Sequence, residues 1–198
     1  MSQALHLPLR LSDKRNYIFA ADLFDALVTT IGAVPPARLR LTRMSNEAVE
    51  FCPGPAPSPQ DPDYCGMFDH GSGAAVASGW LRRRPGDIVA ERMAAADATL
   101  LAEVALRPDG ATARPDPGIS VAKAALVLAV ALIEEAFPDD LWNLAELQVV
   151  GPFQTAGQIR VGLGRRMSRF LVIPVWVDDL HWGQFTLAST PIAETTAS

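Results

Sequence analysis

The segment that most restricts how this 198-residue chain folds is Ile119 to Phe137, ISVAKAALVLAVALIEEAF, in which the run from Ala124 to Ile133 carries no charge. A membrane-crossing helix needs about 20 mainly apolar residues, whereas this segment has Lys123 near its start and Glu134 and Glu135 near its end. It reads as a helix of a soluble protein, apolar nearly all the way round, and such a helix is buried on most of its faces. Ala122, Ala124, Ala125, Ala129 and Ala131 would let neighbouring backbone approach closely. The fold class this implies is α+β, an antiparallel sheet wrapped around a long buried helix.

Hydrophobic period divides the rest into two runs of similar element order. Leu5 to Leu11 (LHLPLRL) alternates as a strand, with Pro8 directing it to a sheet edge. Phe19, Leu23, Leu27 and Ile31 share one helical face, and Gly32 with Pro35-Pro36 ends that helix. Ala37 to Phe51 predicts two strands about Ser45-Asn46, and the proline-studded stretch 52–63 predicts a long loop. Gly73 to Arg83 predicts a strand, and Pro85 to Ala96 a helix opened by Pro85-Gly86-Asp87.

The order then returns. Thr99 to Leu106 reads as a strand, Pro108-Asp109-Gly110 as a turn, and the buried helix follows. Strands are expected over Ala145–Val150, Gln158–Leu163, Phe170–Val177 and His181–Leu187. Two units result, 1–96 and 97–190. A flexible tail is expected over 191–198, with fraying from Ala188.

Composition excludes several classes of function. With 17 Lys+Arg against 22 Asp+Glu the net charge is −5, and the sequence pI is about 5.1, so nucleic-acid binding is not expected. Hydrophobic residues make up 49%, enough to exclude whole-chain disorder. Of the basic residues only Lys14 and Lys123 are lysines; with abundant Ala and Pro, this is the imprint of GC-rich coding and suggests a bacterial source. Cys52 and Cys65 cannot hold zinc alone, and only three histidines are available to help, so neither metal nor cofactor is expected. The opening MSQALHLPLRLSDKR lacks the pattern of a signal peptide, which makes the cytoplasm, with free thiols, the expected location.

In element order the two runs resemble the hot-dog fold of acyl-thioester dehydratases and thioesterases, in which a curved sheet wraps a central helix. The resemblance covers Leu5 to about Ala96 and about Thr99 to Thr190, which would make a double hot-dog; it rests on topology and not on motif residues. The alternative is one larger α+β domain with helices on an open antiparallel sheet. The resemblance implies an acyl thioester, of coenzyme A or of a carrier protein, as partner. It also makes Asp22 a catalytic candidate, because hot-dog enzymes carry an acid on or near the central helix. Without it, Asp22 and Asp25 are explained as acids near a helix N-terminus, where the dipole stabilises them.

The densest group of reactive side chains is Asp63 to Gly73, DYCGMFDHGSG. Here His70 is the candidate general acid or base and Asp69 the carboxylate that orients it. That pairing needs a turn, because neighbours in a strand point to opposite faces; the plain alternative is a polar connector. Cys65 is a candidate nucleophile with no separate orienting group. Arg82, Arg83 and Arg84, and Arg165 and Arg166 with Arg169, are candidates for the phosphates of a thioester carrier, or else solvated strand ends. Phe170, Trp176, Trp182 and Phe185 either line an acyl pocket or pack as cross-strand pairs, and His181 is read as a turn residue. No Rossmann fingerprint or P-loop is present. Two functions follow as expectations: an acyl-thioester-binding protein of dehydratase or thioesterase type, or a non-catalytic binding or assembly subunit. A homodimer is compatible with either.

Overall fold

The computed structural model describes residues 3–12, 18–43, 45–93, 101–153 and 157–191. Short strands β1 (Leu5–His6) and β2 (Leu11–Ser12) stand where one strand was expected, separated around Pro8. Helix α1 (Ala20–Ile31) begins after Phe19 and ends on Gly32, whose φ of 63° and ψ of 39° are left-handed and suit a residue without Cβ. Strands β3 (Ala37–Leu41), β4 (Glu47–Pro53), β5 (Tyr64–His70), β6 (Ala77–Ile88) and β7 (Arg92–Met93) complete the first run. The second contains β8 (Leu101–Arg107), β9 (Gly110–Pro115), α2 (Val121–Ala136), β10 (Asp140–Val149), β11 (Ile159–Gly162), β12 (Arg166–Met167), β13 (Phe170–Val177) and β14 (Leu180–Pro191).

All but β2 and β7 join one antiparallel sheet, in the order β1-β4-β6-β5-β3-β10-β14-β13-β11-β9-β8, with β12 on β13. The two runs meet where β3 pairs β10, Leu39 facing Leu147. On one face the sheet presents a fully buried row that includes Leu39, Phe68, Leu81, Leu147, Ile173 and Phe185. Helix α2 is buried over most of its length, from Val121 to Ala129 and at Leu132 and Ile133, and packs on β8, β9 and β11 as well as on α1.

The two runs are not copies in pairing. From the junction outward, the second reads β10, β14, β13, β11, whereas the first reads β3, β5, β6, β4, so the last two strands are exchanged. Because β4 and β5 are both antiparallel to β6, they run in the same direction. The chain between them must therefore return along the sheet. The loop 54–63 does this alongside β6: the Gly54 amide donates to Ser78 O at its start, and Asp63 O accepts from Arg83 N at its end. Proline-rich chain rises about 3.1 Å per residue, so ten residues reach about 30 Å, more than the ~23 Å of a seven-residue strand.

Several sequence expectations need correction. The helix expected over Pro85–Ala96 is absent as far as Met93, because β6 continues to Ile88; residues 94–96 lie outside the described residues. Facing β4, Val49 sits opposite Arg83 and Glu47 opposite Ile88, so Pro85-Gly86 lies in a bulge rather than a helix start. The Glu47 carboxylate accepts from the Gly86 amide at 2.8 Å and holds the bulge on the strand. The stretch Asp63 to Gly73 is mostly strand β5, not a polar connector. Strand β9 was not anticipated. Strand β10 begins at Asp140 rather than Ala145, a register shift between Leu144 and Glu146 having broken its alternation. The chain is not frayed from Ala188, since Asp140 pairs Pro191; residues 192–198 lie outside the described residues. Cys52 and Pro53 belong to β4, which shortens the proline loop.

Candidate active site

Helices α1 and α2 meet through four polar side chains. Asp22 and Asp25, three residues apart on α1, share a face. On α2, Ser120 is the N-cap, its hydroxyl accepting from the Lys123 amide at 3.1 Å, and such a cap contributes about 1 kcal/mol. The same hydroxyl donates its proton to Asp25 Oδ2 at 2.7 Å. The Lys123 ammonium lies 2.8 Å from Asp22 Oδ1, with side chains only 11% and 15% exposed. This ion pair explains how a lysine can sit in an otherwise apolar helix: its charge is matched where it would be most costly to leave alone.

Asp25 has no such partner. Burial pushes its carboxyl up to about 6, Asp22 adds to the shift, and the Ser120 hydrogen bond and Lys123 oppose it. Asp25 lines a cavity of about 200 Å³ with Val28 and Thr29 of α1, Gly118, Ile119, Ser120 and Lys123 at the start of α2, and Phe153 from the β10–β11 connection. Thr29 and Gly118 are exposed at its mouth, while Ser120 and Lys123 are buried. Phe153 O accepts from the Val121 amide at 3.3 Å, tying that wall to the first turn of α2. A helix N-terminus favours negative charge beside it. The site thus combines a titrating carboxyl, an electropositive helix end and a lining in which Thr29, Ser120 and Lys123 stand beside the apolar Val28, Ile119 and Phe153.

The residues singled out from sequence are distributed differently. In β5, Asp69 and His70 point to opposite faces: Asp69 pairs with Arg40 at 2.7 Å, and the His70 ring lies 5.9 Å from that of the buried Phe68. They do not form a dyad, and His70 Nδ1 is buried without a hydrogen-bond partner. Cys65 is buried and free, its thiol 3.6 Å from Asp63 O, and burial pushes its pKa up, the reverse of what a nucleophilic thiol needs. Cys52 is also free.

The first arginine cluster is engaged with carboxylates. Arg82 forks onto Glu50 at 3.2 and 2.5 Å, Arg83 lies 3.1 Å from Glu47, and Arg84 lies 3.1 Å from Asp87. The Arg82 hydrogen bond holds the Glu50 carboxyl below its usual range. Arg166 pairs with Asp140 at 3.0 Å and lies over the Phe137 ring, and Arg165 is exposed. The C-terminal aromatics split between faces. Trp176 is on the outer face under the Arg160 guanidinium, 3.9 Å away. Trp182 is 1% exposed and donates from Nε1 to Pro152 O at 2.6 Å. A register shift opposite Val175 and Trp176 turns Trp182 inward.

Asp25, Ser120 and Lys123 were not predicted as a site. In sequence Asp25 is accounted for by the helix dipole, and Lys123 reads only as a charge that disfavours a membrane span. The available signal was Lys123 itself, a lone cation in an apolar helix, which requires a buried anion on a neighbouring element.

Among the described residues no helix is long and apolar enough to cross a membrane. No protein-family model matches the sequence, and no curated protein matches it. The structure is similar to that of a Lactobacillus plantarum protein provisionally assigned as an oleoyl thioesterase (13% identity, 98% of each chain covered, TM-score 0.48). It is similar also to the dehydratase domain of RzxB from Pseudomonas fluorescens (13%, 92% of this chain and 88% of that one, 0.47) and to the dehydratase domain from the CurF module of curacin polyketide synthase (8%, 88% and 84%, 0.47). The similar chains include thioesterases and polyketide synthase domains, the latter dehydratases, an enoyl-isomerase and a pyran synthase. At these identities no residue role is carried across.

Proposed function

We propose that the chain binds an acyl thioester in the α1–α2 cavity and hydrolyses it, with Asp25 as general base. The observation that carries this reading is a carboxyl with a pKa of about 6, lining an open cavity beside the N-terminal turn of a buried helix. A base that titrates near the working pH is the effective kind. Water attacks the thioester carbonyl carbon while Asp25 takes its proton. Negative charge develops on the carbonyl oxygen, where the positive end of the α2 dipole favours it, and the C–S bond then breaks to release the thiolate. Ser120 orients Asp25, and Asp22 holds Lys123 in place.

Around this reading we propose a double hot-dog of units 1–96 and 97–190 joined through β3 and β10, acting in a bacterial cytoplasm. The pairing of Leu39 with Leu147 across the junction supports the two-unit description. The non-catalytic alternative is favoured by edge strand β8, where Val104 and Leu106 are 39% and 41% exposed, a surface suited to a second copy or another subunit.

The test is a thermal-shift titration with free coenzyme A and a series of acyl-CoAs. Saturation at a hundredfold excess over Kd stabilises by about 2.7 kcal/mol, or roughly 5–11 °C for a chain of this size. Larger shifts with acyl-CoA than with free coenzyme A are expected. No shift with any of them, or with an acyl carrier protein, would refute the reading and leave the binding or assembly subunit.

A further inference from the structure

We propose that the cavity accepts only short acyl groups and that Phe153 is the residue that sets the limit; this rests on the thioester reading above. A cavity of about 150 Å³ holds a benzene ring, so the ~200 Å³ beside Asp25 holds about six to eight heavy atoms by the same measure. The thioester carbonyl carbon and oxygen, its sulfur and the attacking water take about four of these, which leaves room for about two to four further acyl carbons.

What stops a longer chain is specific. Phe153 packs edge-to-face on Phe24, with ring centroids 5.5 Å apart and planes at 87°. Phe24 is fully buried and packs in the same way on Phe68, 5.9 Å away, which packs in turn on Phe51. Phe153 therefore stands between the cavity and an aromatic row that runs from α1 onto the sheet. That row is apolar and closely packed, and the Phe153 ring closes the cavity off from it. Its backbone is held by the Val121 amide and its ring by the contact with Phe24, beside the helix end where the carbonyl would bind. Removing the ring should extend the cavity along the face of Phe24.

The experiment measures binding by calorimetry for acetyl-, butyryl-, octanoyl- and dodecanoyl-CoA. It uses Asp25→Asn, so that ligand is not consumed, with and without Phe153→Ala. With Phe153 present, affinity should rise from acetyl to butyryl and then stop rising or fall. With Phe153→Ala it should keep rising to octanoyl, at up to about fourfold per added methylene. Phe153→Leu, which keeps more of the packing, is the second variant should the alanine protein fail to fold, and it should move the limit in the same direction. Affinity that climbs steadily to dodecanoyl-CoA with Phe153 present would overturn the inference and leave the thioester reading standing. So would a chain-length profile that neither variant alters. No binding of any acyl-CoA would overturn both.

Discussion

Substituting Asp25 by Asn should stabilise the protein at neutral pH and lose that advantage in acid. The Asp25 carboxyl is raised from 3.8 to about 6 in the folded chain, chiefly by burial. Between those values the folded protein holds a proton that the unfolded chain has released, so the contribution of this group to stability falls as pH rises through the window. A shift of about two units at 1.36 kcal/mol each corresponds to about 3 kcal/mol, a destabilisation fully developed above about pH 6 and absent below about pH 4. Asn cannot ionise, yet it keeps an oxygen to which Ser120 can donate. The variant should thus exceed the wild type by up to about 3 kcal/mol at pH 8 and match it near pH 4. Urea unfolding at several pH values, with m-values checked for constancy, measures this. Other titrating groups cancel in the difference between the two proteins. A difference that stays constant from pH 4 to pH 8 would refute the claim that burial raises the Asp25 carboxyl towards 6.

Two other outcomes follow from the same helix pair and the sheet beneath it. Lys123→Met leaves Asp22 as an uncompensated, largely buried carboxylate and should destabilise by about 3–5 kcal/mol, while the double variant Asp22→Leu with Lys123→Met should recover most of the loss. A single-variant loss under about 1 kcal/mol in thermal unfolding would mean the pair behaves like an exposed one. Cys65, buried and with its pKa pushed up by burial, should resist iodoacetamide in the folded protein and react at the unfolding rate, whereas Cys52 should label faster. Equal native labelling rates by mass spectrometry would contradict the burial of Cys65.

The fold was legible where local pattern and tertiary environment agree. The α1 face of Phe19, Leu23, Leu27 and Ile31, its stop at Gly32, and the alternation of β13 all lie where period and punctuation put them. It was not legible where a long-range partner overrode a local cue. Pro85-Gly86-Asp87 looks like a helix start, but Glu47 on a neighbouring strand captures the Gly86 amide and keeps the segment in the sheet. The proline run could be read as a loop, but not that it carries the chain back alongside β6 from Ser78 to Arg83 and so exchanges two strands. At the site, Asp69 next to His70 was the conspicuous pair in sequence, and strand geometry separated it. Asp25 and Ser120, 95 positions apart in the chain, are hydrogen-bonded. No spacing rule reaches across that distance; only the need of buried Lys123 for an anion pointed towards α1.

The measurement that tests the account most directly is the rate of thiol release from butyryl-CoA by wild type and Asp25→Asn across pH 4.5 to 8. The wild-type rate should rise through a single ionisation near 6 and level off, as Asp25 becomes the free base. The variant should fall by about 10²–10⁴, the usual contribution of a positioned base, while keeping its affinity for the thioester. A variant that turns over at the wild-type rate with the same pH profile would contradict the assignment of Asp25.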